Sequence, residues 1–266
     1  MEKKIAILGG GNLGGSLVQG LVRSNKIDPE LICVTGRSMP RLNRLKDLGV
    51  KLSQDNKKAV QDCAVIILAV QPSQMVNVLE EINPVLSKDQ IIVSTATGVS
   101  SEDIRGKLSF DQPVIRSMPN TASAIGQSIT CLSSNNAGDK DWAIIEELFG
   151  YIGKTLRIEE ELMQAATVLG ASGIAFFLRY IRAATQGGIQ MGFHPADAQL
   201  IAMQTAIGAA SLVFEKNRHP EMEIDKVTTP RGCTIEGLNE MEHQGLSSAV
   251  IKGLMASYEK INTILT

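Results

Sequence analysis

Apolar residues in the first half of the chain come in short runs, and amphipathic stretches separate them. Lys3–Leu8 leads into the run Ile5-Ala6-Ile7-Leu8, and Ser16–Arg23 follows with apolar residues at helical spacing. The alternation recurs. Leu31–Thr35 reads as a strand and Arg41–Leu48 as a helix, apolar at Leu42, Leu45 and Leu48. Ala64–Val70 is the densest run, with the length of a buried parallel strand, and Met75–Leu86 is the helix after it. Gln90–Ser94 is a strand, and Ser101–Leu108 a short helix with Ser100 or Ser101 as its cap. Pro113–Arg116 and Ser128–Leu132 are strands, Asp141–Ile152 a helix and Thr155–Ile158 a closing strand. Strands separated by helices predict a parallel, doubly wound sheet with right-handed crossovers.

The pattern changes near Glu159, and no strand signal follows it. Leu162–Met191 has helical spacing throughout, and Ala196–Lys216 is a second long helix. Asn217–Lys226 is polar, contains Pro220 and reads as a connection. Thr234–Gln244 and Leu246–Ile264 read as two more helices. The apolar faces here are rich in Ala and Gly, among them Gly170, Ala171, Gly173, Gly187, Gly188 and Gly208. Small residues allow close helix contact, and surplus apolar surface on a small helical domain calls for a partner chain. The pattern therefore predicts an α/β domain over residues 1–158 and an all-helical domain over 159–266.

The first strand runs into Gly9-Gly10-Gly11-Asn12-Leu13-Gly14, a G-x-G-x-x-G turn between strand and helix. That context reads as a Rossmann dinucleotide-binding domain. Gly9 permits the tight turn, Gly11 lets a pyrophosphate approach the backbone, and Gly14 lets helix pack on strand. The helix N-terminus offers N–H groups and partial positive charge to the phosphates. An NAD site usually carries an acid at the end of the second strand. Here that strand ends Val34-Thr35-Gly36-Arg37-Ser38, with no carboxylate and with Arg37 where a 2′-phosphate would lie. The expected cofactor is NADPH, with NADH as the alternative.

Composition narrows the class. The chain has 266 residues, 44% hydrophobic and 20% charged, as in a soluble globular protein. A net charge of −2 offers no general attraction for nucleic acid or anionic membrane. Cys33, Cys63, Cys131 and Cys233 are scattered without C-x-x-C spacing, as expected of reduced cysteines in a cytoplasmic protein. The strand begins at once, leaving no room for a signal peptide. No apolar run approaches the roughly 18 to 20 residues that a membrane helix needs. His194, His219 and His243 sit among polar or turn residues, and no spacing suggests a metal site.

Several stretches resemble the pyrroline-5-carboxylate reductase family. Ile7–Gly14 is similar to its cofactor turn, Ala69-Val70-Gln71-Pro72 to its A-V-K-P segment, and Arg116–Thr121 to its R-x-M-P-N-T stretch. Gly187-Gly188, Met191-Gly192, Gln204-Thr205 and Gly208–Ala210 resemble its helical domain. Val227–Ile235 is close to its V-x-S-P-G-G-T-T signature. Four positions depart from the family: Gln71 stands for a Lys, Ile174 for a Pro, and Arg231 and Cys233 for a Gly and a small residue.

The resemblance implies reduction of the C=N bond of 1-pyrroline-5-carboxylate to L-proline, the last step of proline biosynthesis. It implies that Leu8, Gly9, Gly10, Gly11, Asn12 and Leu13 cradle the pyrophosphate, and that Arg37 and Ser38 meet the 2′-phosphate. Asn56 matches a cofactor-contacting Asn. Ala69, Val70, Gln71, Pro72, Thr95 and Thr97 would line the nicotinamide and its ribose. Glu160 matches a substrate-side acid, or is a solvated carboxylate at a helix start. Gly232, Cys233 and Thr234 would bind the substrate carboxylate at a helix N-terminus. The Thr234 hydroxyl would serve the ring nitrogen, or only cap the helix. A homodimer or larger homo-oligomer built through the helices is implied as well. Two rival readings remain. A β-hydroxyacid dehydrogenase would need a catalytic Lys, which Leu169–Gln190 lacks. A dinucleotide-binding protein without turnover would keep most of the same residues.

Overall fold

A computed structural model describes residues 3–265. The polypeptide divides into two compact units. One runs to Ser172 and resumes at Ile261; the other is Gly173–Lys260.

The first unit is built on one eight-stranded sheet: β1 (Ile5–Leu8), β2 (Ile32–Thr35), β3 (Lys51–Ser53), β4 (Val65–Leu68), β5 (Ile91–Ser94), β6 (Val114–Met118), β7 (Ser128–Ser133) and β8 (Gly153–Arg157). Their order is β3-β2-β1-β4-β5-β6-β7-β8. Its helices are α1 (Asn12–Arg23), α2 (Met39–Leu42), α3 (Asn56–Val60), α4 (Pro72–Ile82), α5 (Ser101–Arg105), α6 (Asp139–Gly150) and α7 (Met163–Ala166). Alternate strand residues face opposite layers. Ile5, Ile7, Val34, Ile67 and Val93 pack with Leu17, Leu21 and Phe149. Ala6, Leu8, Ile66, Leu68 and Ile92 pack with Met75, Leu79 and Ile104. Both faces are covered, so the central strands are apolar throughout, as their sequence requires.

Two expectations are corrected, the direction of β7 and the path of residues 220–227. Strand β7 runs antiparallel to β6. The link between them is one short 3-10 turn, Thr121–Ile125, too short for a helical crossover. Strand β3 and helix α3 lack a strong apolar pattern and went unread, because β3 is a three-residue edge strand. Residues 220–227 form a helix, not a connection. Pro220 stands at its first position, where a missing N–H costs nothing. The compact units divide later than the change in pattern, because Met163 is buried with Met118 and Cys131.

The second unit contains α8 (Gly173–Gln190), α9 (Pro195–Lys216), α10 (Pro220–Val227), α11 (Cys233–His243) and most of α12 (Leu246–Leu265). A π-helical stretch, Thr167–Ser172, lies between α7 and α8. Helices α8 and α9 pack as a hairpin, and a Cβ on Gly188 would lie 3.0 Å from the Ala198 Cβ. Phe177, Leu200, Ile207 and Phe214 are exposed. The expectation that nothing in the chain has membrane-helix length is also corrected. Glu160–Gln190 and Pro195–Lys216 are long and apolar enough by length and composition, with 17% and 6% of their most apolar windows buried. A search for uninterrupted runs misses them because isolated charges such as Arg179 and Arg182 break the run.

Candidate functional site

Register brings the predicted cofactor residues to one edge. Leu8 pairs with Thr35 and Leu68, and Leu68 pairs with Ser94. Gly9–Leu13, Gly36–Ser38, Ala69–Pro72 and Thr95–Thr97 therefore all leave the carboxyl ends of parallel strands. The strand order reverses between β1 and β4, which opens a crevice at that edge.

The glycine turn fits a pyrophosphate. Gly9 adopts φ 111°, and a Cβ there would sit 2.3 Å from the Ala69 carbonyl oxygen. A Cβ on Gly14 would sit 2.0 Å from the Gly9 carbonyl oxygen, so helix and strand can meet only through glycine. Above Gly11, by contrast, a Cβ would meet nothing within 4 Å. Gly11 is the N-cap of α1, and the first intrahelical bond runs from Gly15 N–H to Gly11 O. The N–H groups of Asn12, Leu13 and Gly14 precede that bond and lack helical acceptors. The first turn of α1 holds no acidic residue.

Arg37 is exposed just beyond β2. Its carbonyl accepts from Gln54 Nε2 at 2.8 Å, and with the Gln74 amide turned to present its oxygen, the guanidinium donates to that oxygen at 2.9 and 3.2 Å. Among the described residues no carboxylate forms an ion pair with it. Ser38 is the N-cap of α2, and its hydroxyl makes no cap hydrogen bond. Asn56 begins α3, where its Oδ1 accepts from the Thr35 hydroxyl (2.6 Å) and its Nδ2 donates to Glu81 (2.8 Å). Its amide is thus held at the end of β2. Ala69 N–H donates to Leu8 O at 2.8 Å, and Gln71 is the N-cap of α4 with Pro72 behind it. Thr95 is buried and its hydroxyl donates to Leu68 O at 3.2 Å, whereas Thr97 is half-buried in the following turn.

In the second unit, Thr229-Pro230-Arg231-Gly232 is a turn closed by Gly232 N–H to Thr229 O (2.9 Å). Pro230 holds the second position and Arg231 the third, at φ 62°. A positive φ after Pro defines a type II turn. A Cβ on Gly232 would fall 2.4 Å from the Thr229 Oγ1. Gly232 is the N-cap of α11, and Thr234 stands inside its first turn. The expectation that Thr234 caps the helix is therefore corrected, and its hydroxyl is not spent on a cap.

Two family models match. Residues 160–264 match pyrroline-5-carboxylate reductase dimerisation, and residues 4–98 match NADP oxidoreductase coenzyme F420-dependent. Pyrroline-5-carboxylate reductase 1 of Dictyostelium discoideum is 44% identical across all of this chain, which spans 50% of that relative's length. Pyrroline-5-carboxylate reductase 2 of the same organism is 42% identical, across 97% of this chain and 92% of its own. The chain belongs to the pyrroline-5-carboxylate reductase family. It is an NAD(P)-dependent oxidoreductase acting on pyrroline-5-carboxylate. The fold also matches the solved pyrroline carboxylate reductase of Plasmodium falciparum with NADP bound. That match has a TM-score of 0.90, 23% identity, and coverage of 99% of this chain and 98% of the other.

Membership in the reductase family sharpens two observations. Glu160, expected on the substrate side, takes part in a hydrogen-bonded cluster with Ser101 and Arg116. Its Oε1 accepts from Ser101 N–H (2.7 Å) and from buried Arg116 Nη1 (3.1 Å), and its Oε2 accepts from the Ser101 hydroxyl (2.5 Å). Burial raises the Glu160 pKa, but the Ser101 and Arg116 bonds outweigh it and the net shift is downward. Asn120 Nδ2 likewise donates to Gly170 O at 3.0 Å. The R-x-M-P-N-T stretch thus clamps residues 160–170 to the sheet, which sequence spacing alone did not reveal. None of the cysteines is paired, and burial pushes the Cys63 thiol up to about 11. The histidines stand at helix ends: His194 and His219 as N-caps, His243 closing α11.

Two outcomes follow for variants. Arg231 occupies a left-handed position that glycine fills without strain, as in the family signature. Arg231→Gly should raise stability by about 1 kcal/mol in thermal or urea unfolding, and an unchanged or lower midpoint would contradict it. Glu160→Gln should cost about 1–3 kcal/mol by leaving Arg116 without its anion. The folded Glu160 pKa lies below its ordinary 4.5, so its contribution is present above that value and lost as pH falls through the folded value. Urea midpoints measured from neutral pH downward should therefore converge for the two proteins in acid. Parallel curves would refute the clamp.

Proposed function

We propose that this reductase prefers NADPH and divides its residues between two tasks. The observation that carries the preference is Arg37, exposed beyond β2 and, among the described residues, in no ion pair with a carboxylate. NADPH, when bound, supplies the hydride for the C=N carbon of 1-pyrroline-5-carboxylate. Leu8 to Leu13 cradle the pyrophosphate, with the open N–H groups of Asn12 and Leu13 as its donors while those of Gly9 and Gly10 bond Thr35 O, and Arg37 and Ser38 hold the 2′-phosphate. Asn56 presents the adenosine side. Ala69 to Pro72, with Thr95 and Thr97, line the nicotinamide side. The NADP in the Plasmodium falciparum relative supports the same choice here.

The substrate carboxylate is held at Gly232–Thr234, at the start of α11, by the N–H groups of Cys233 and Thr234, because the Gly232 N–H closes the turn onto Thr229 O. The Thr234 hydroxyl hydrogen-bonds the ring nitrogen and orients the imine. Thr is a poor acid, so the imine proton arrives with the substrate or from water. The working form is a homodimer or a larger ring built through the second unit, whose exposed apolar faces a second copy would cover. Arg179 and Arg182, midway along α8, argue against lipid on that helix. Its place is the cytoplasm, in keeping with unpaired cysteines.

Oxidation of the nicotinamide, followed by absorbance, tests these roles. Arg37→Ala should cost about 1.5–3 kcal/mol with NADPH and far less with NADH. Equal losses would end the 2′-phosphate assignment. Thr234→Ser should stay active, whereas Thr234→Ala should lose about 10²-fold in kcat/KM, about 2.7 kcal/mol, with its melting temperature nearly unchanged. Full activity in Thr234→Ala would remove the hydroxyl from the reaction.

A further inference from the structure

We infer that Arg44 is a further cofactor-binding residue of this chain, a cation serving the pyrophosphate that NADPH and NADH share. It lies in the 3-10 stretch Asn43–Leu48 that follows α2. Leu42 and Leu45 on either side are buried in the core, which fixes the backbone from which Arg44 reaches back over the glycine turn. Arg44 Nη2 donates to Gly10 O at 3.1 Å and to Gly11 O at 2.5 Å. A Cβ on Gly15 would lie 2.9 Å from the same nitrogen, so a glycine at that position makes room for the guanidinium.

The placement is electrostatically unfavourable by itself. A helix N-terminus carries partial positive charge, and a cation beside it is unfavourable. Arg44 stands there, no acidic residue occupies the first turn of α1, and among the described residues no carboxylate forms an ion pair with Arg44. An anion at the turn balances both charges. The two carbonyl oxygens that would repel that anion are the ones Arg44 covers. Nη2 makes those contacts, and Nε and Nη1 leave further donors of the planar fork for phosphate oxygens. Arg37 lies beyond β2, whereas Arg44 lies on the turn itself. Arg37 therefore discriminates between the cofactors, and Arg44 strengthens both.

This inference rests on the reading of Gly9–Gly14 as the dinucleotide cradle. Its test is the dissociation constant, measured from the fluorescence of bound NADPH and of bound NADH at two salt concentrations. Wild type, Arg44→Gln and Arg44→Lys are compared, with a melting curve for each. Arg44→Gln should weaken both nucleotides by about tenfold, and its binding should depend less on salt than that of wild type. Arg44→Lys should recover part of the loss, and the ligand-free melting temperature of Arg44→Gln should hold or rise slightly. Unchanged binding overturns the inference, and so does a loss confined to NADPH. A lowered melting temperature with Lys no better than Gln makes Arg44 a structural strut and overturns it too. Failure of wild type to bind either nucleotide would instead defeat the reading of the turn, and the inference with it.

Discussion

The contact between the end of β1 and the start of α1 governs the first unit. Gly9 lies against the Ala69 carbonyl and Gly14 against the Gly9 carbonyl, at separations that exclude any side chain. That contact brings three backbone segments together at the carboxyl edge of the sheet. It also leaves the helix N–H groups open above Gly11. The strands beneath supply the rigidity, because both faces of the sheet are packed with aliphatic side chains. A phosphate site made of backbone needs such a platform, since its donors cannot be adjusted by side-chain rotation.

A second constraint joins residues 160–170 to that platform. Glu160, Ser101 and Arg116 form a charge-assisted cluster at the edge beside β6, and Asn120 takes a carbonyl of the π-helical stretch. Here three donors share the two Glu160 oxygens. The ion pair fixes where the helical segment leaves the sheet, which is a use of buried charge better attested than stability itself. The second unit has no such polar clamp at the α8–α9 contact. Small residues such as Gly188 and Ala198 let the helices approach, and large apolar residues are left on their outer faces.

Much of this was legible in the sequence, for local reasons. The doubly wound sheet follows from strand-length apolar runs alternating with amphipathic stretches, and the cofactor edge follows from a glycine turn at the first strand's end. The missing acid after Thr35 and the presence of Arg37 are also properties of adjacent residues. The all-helical second half follows from periodicity. What only the tertiary structure decided depends on residues distant in the chain. Glu160 is spent on Ser101 and Arg116. Asn56 is shared with Thr35 and Glu81. Arg44 returns to the glycine turn across an intervening strand. The antiparallel turn of β7 and the helix begun by Pro220 were also decided by the tertiary structure, because a short loop or a single proline is compatible with more than one local path. Spacing reports which residues share a face; it carries no record of which side chain another segment will claim when the chain closes on itself.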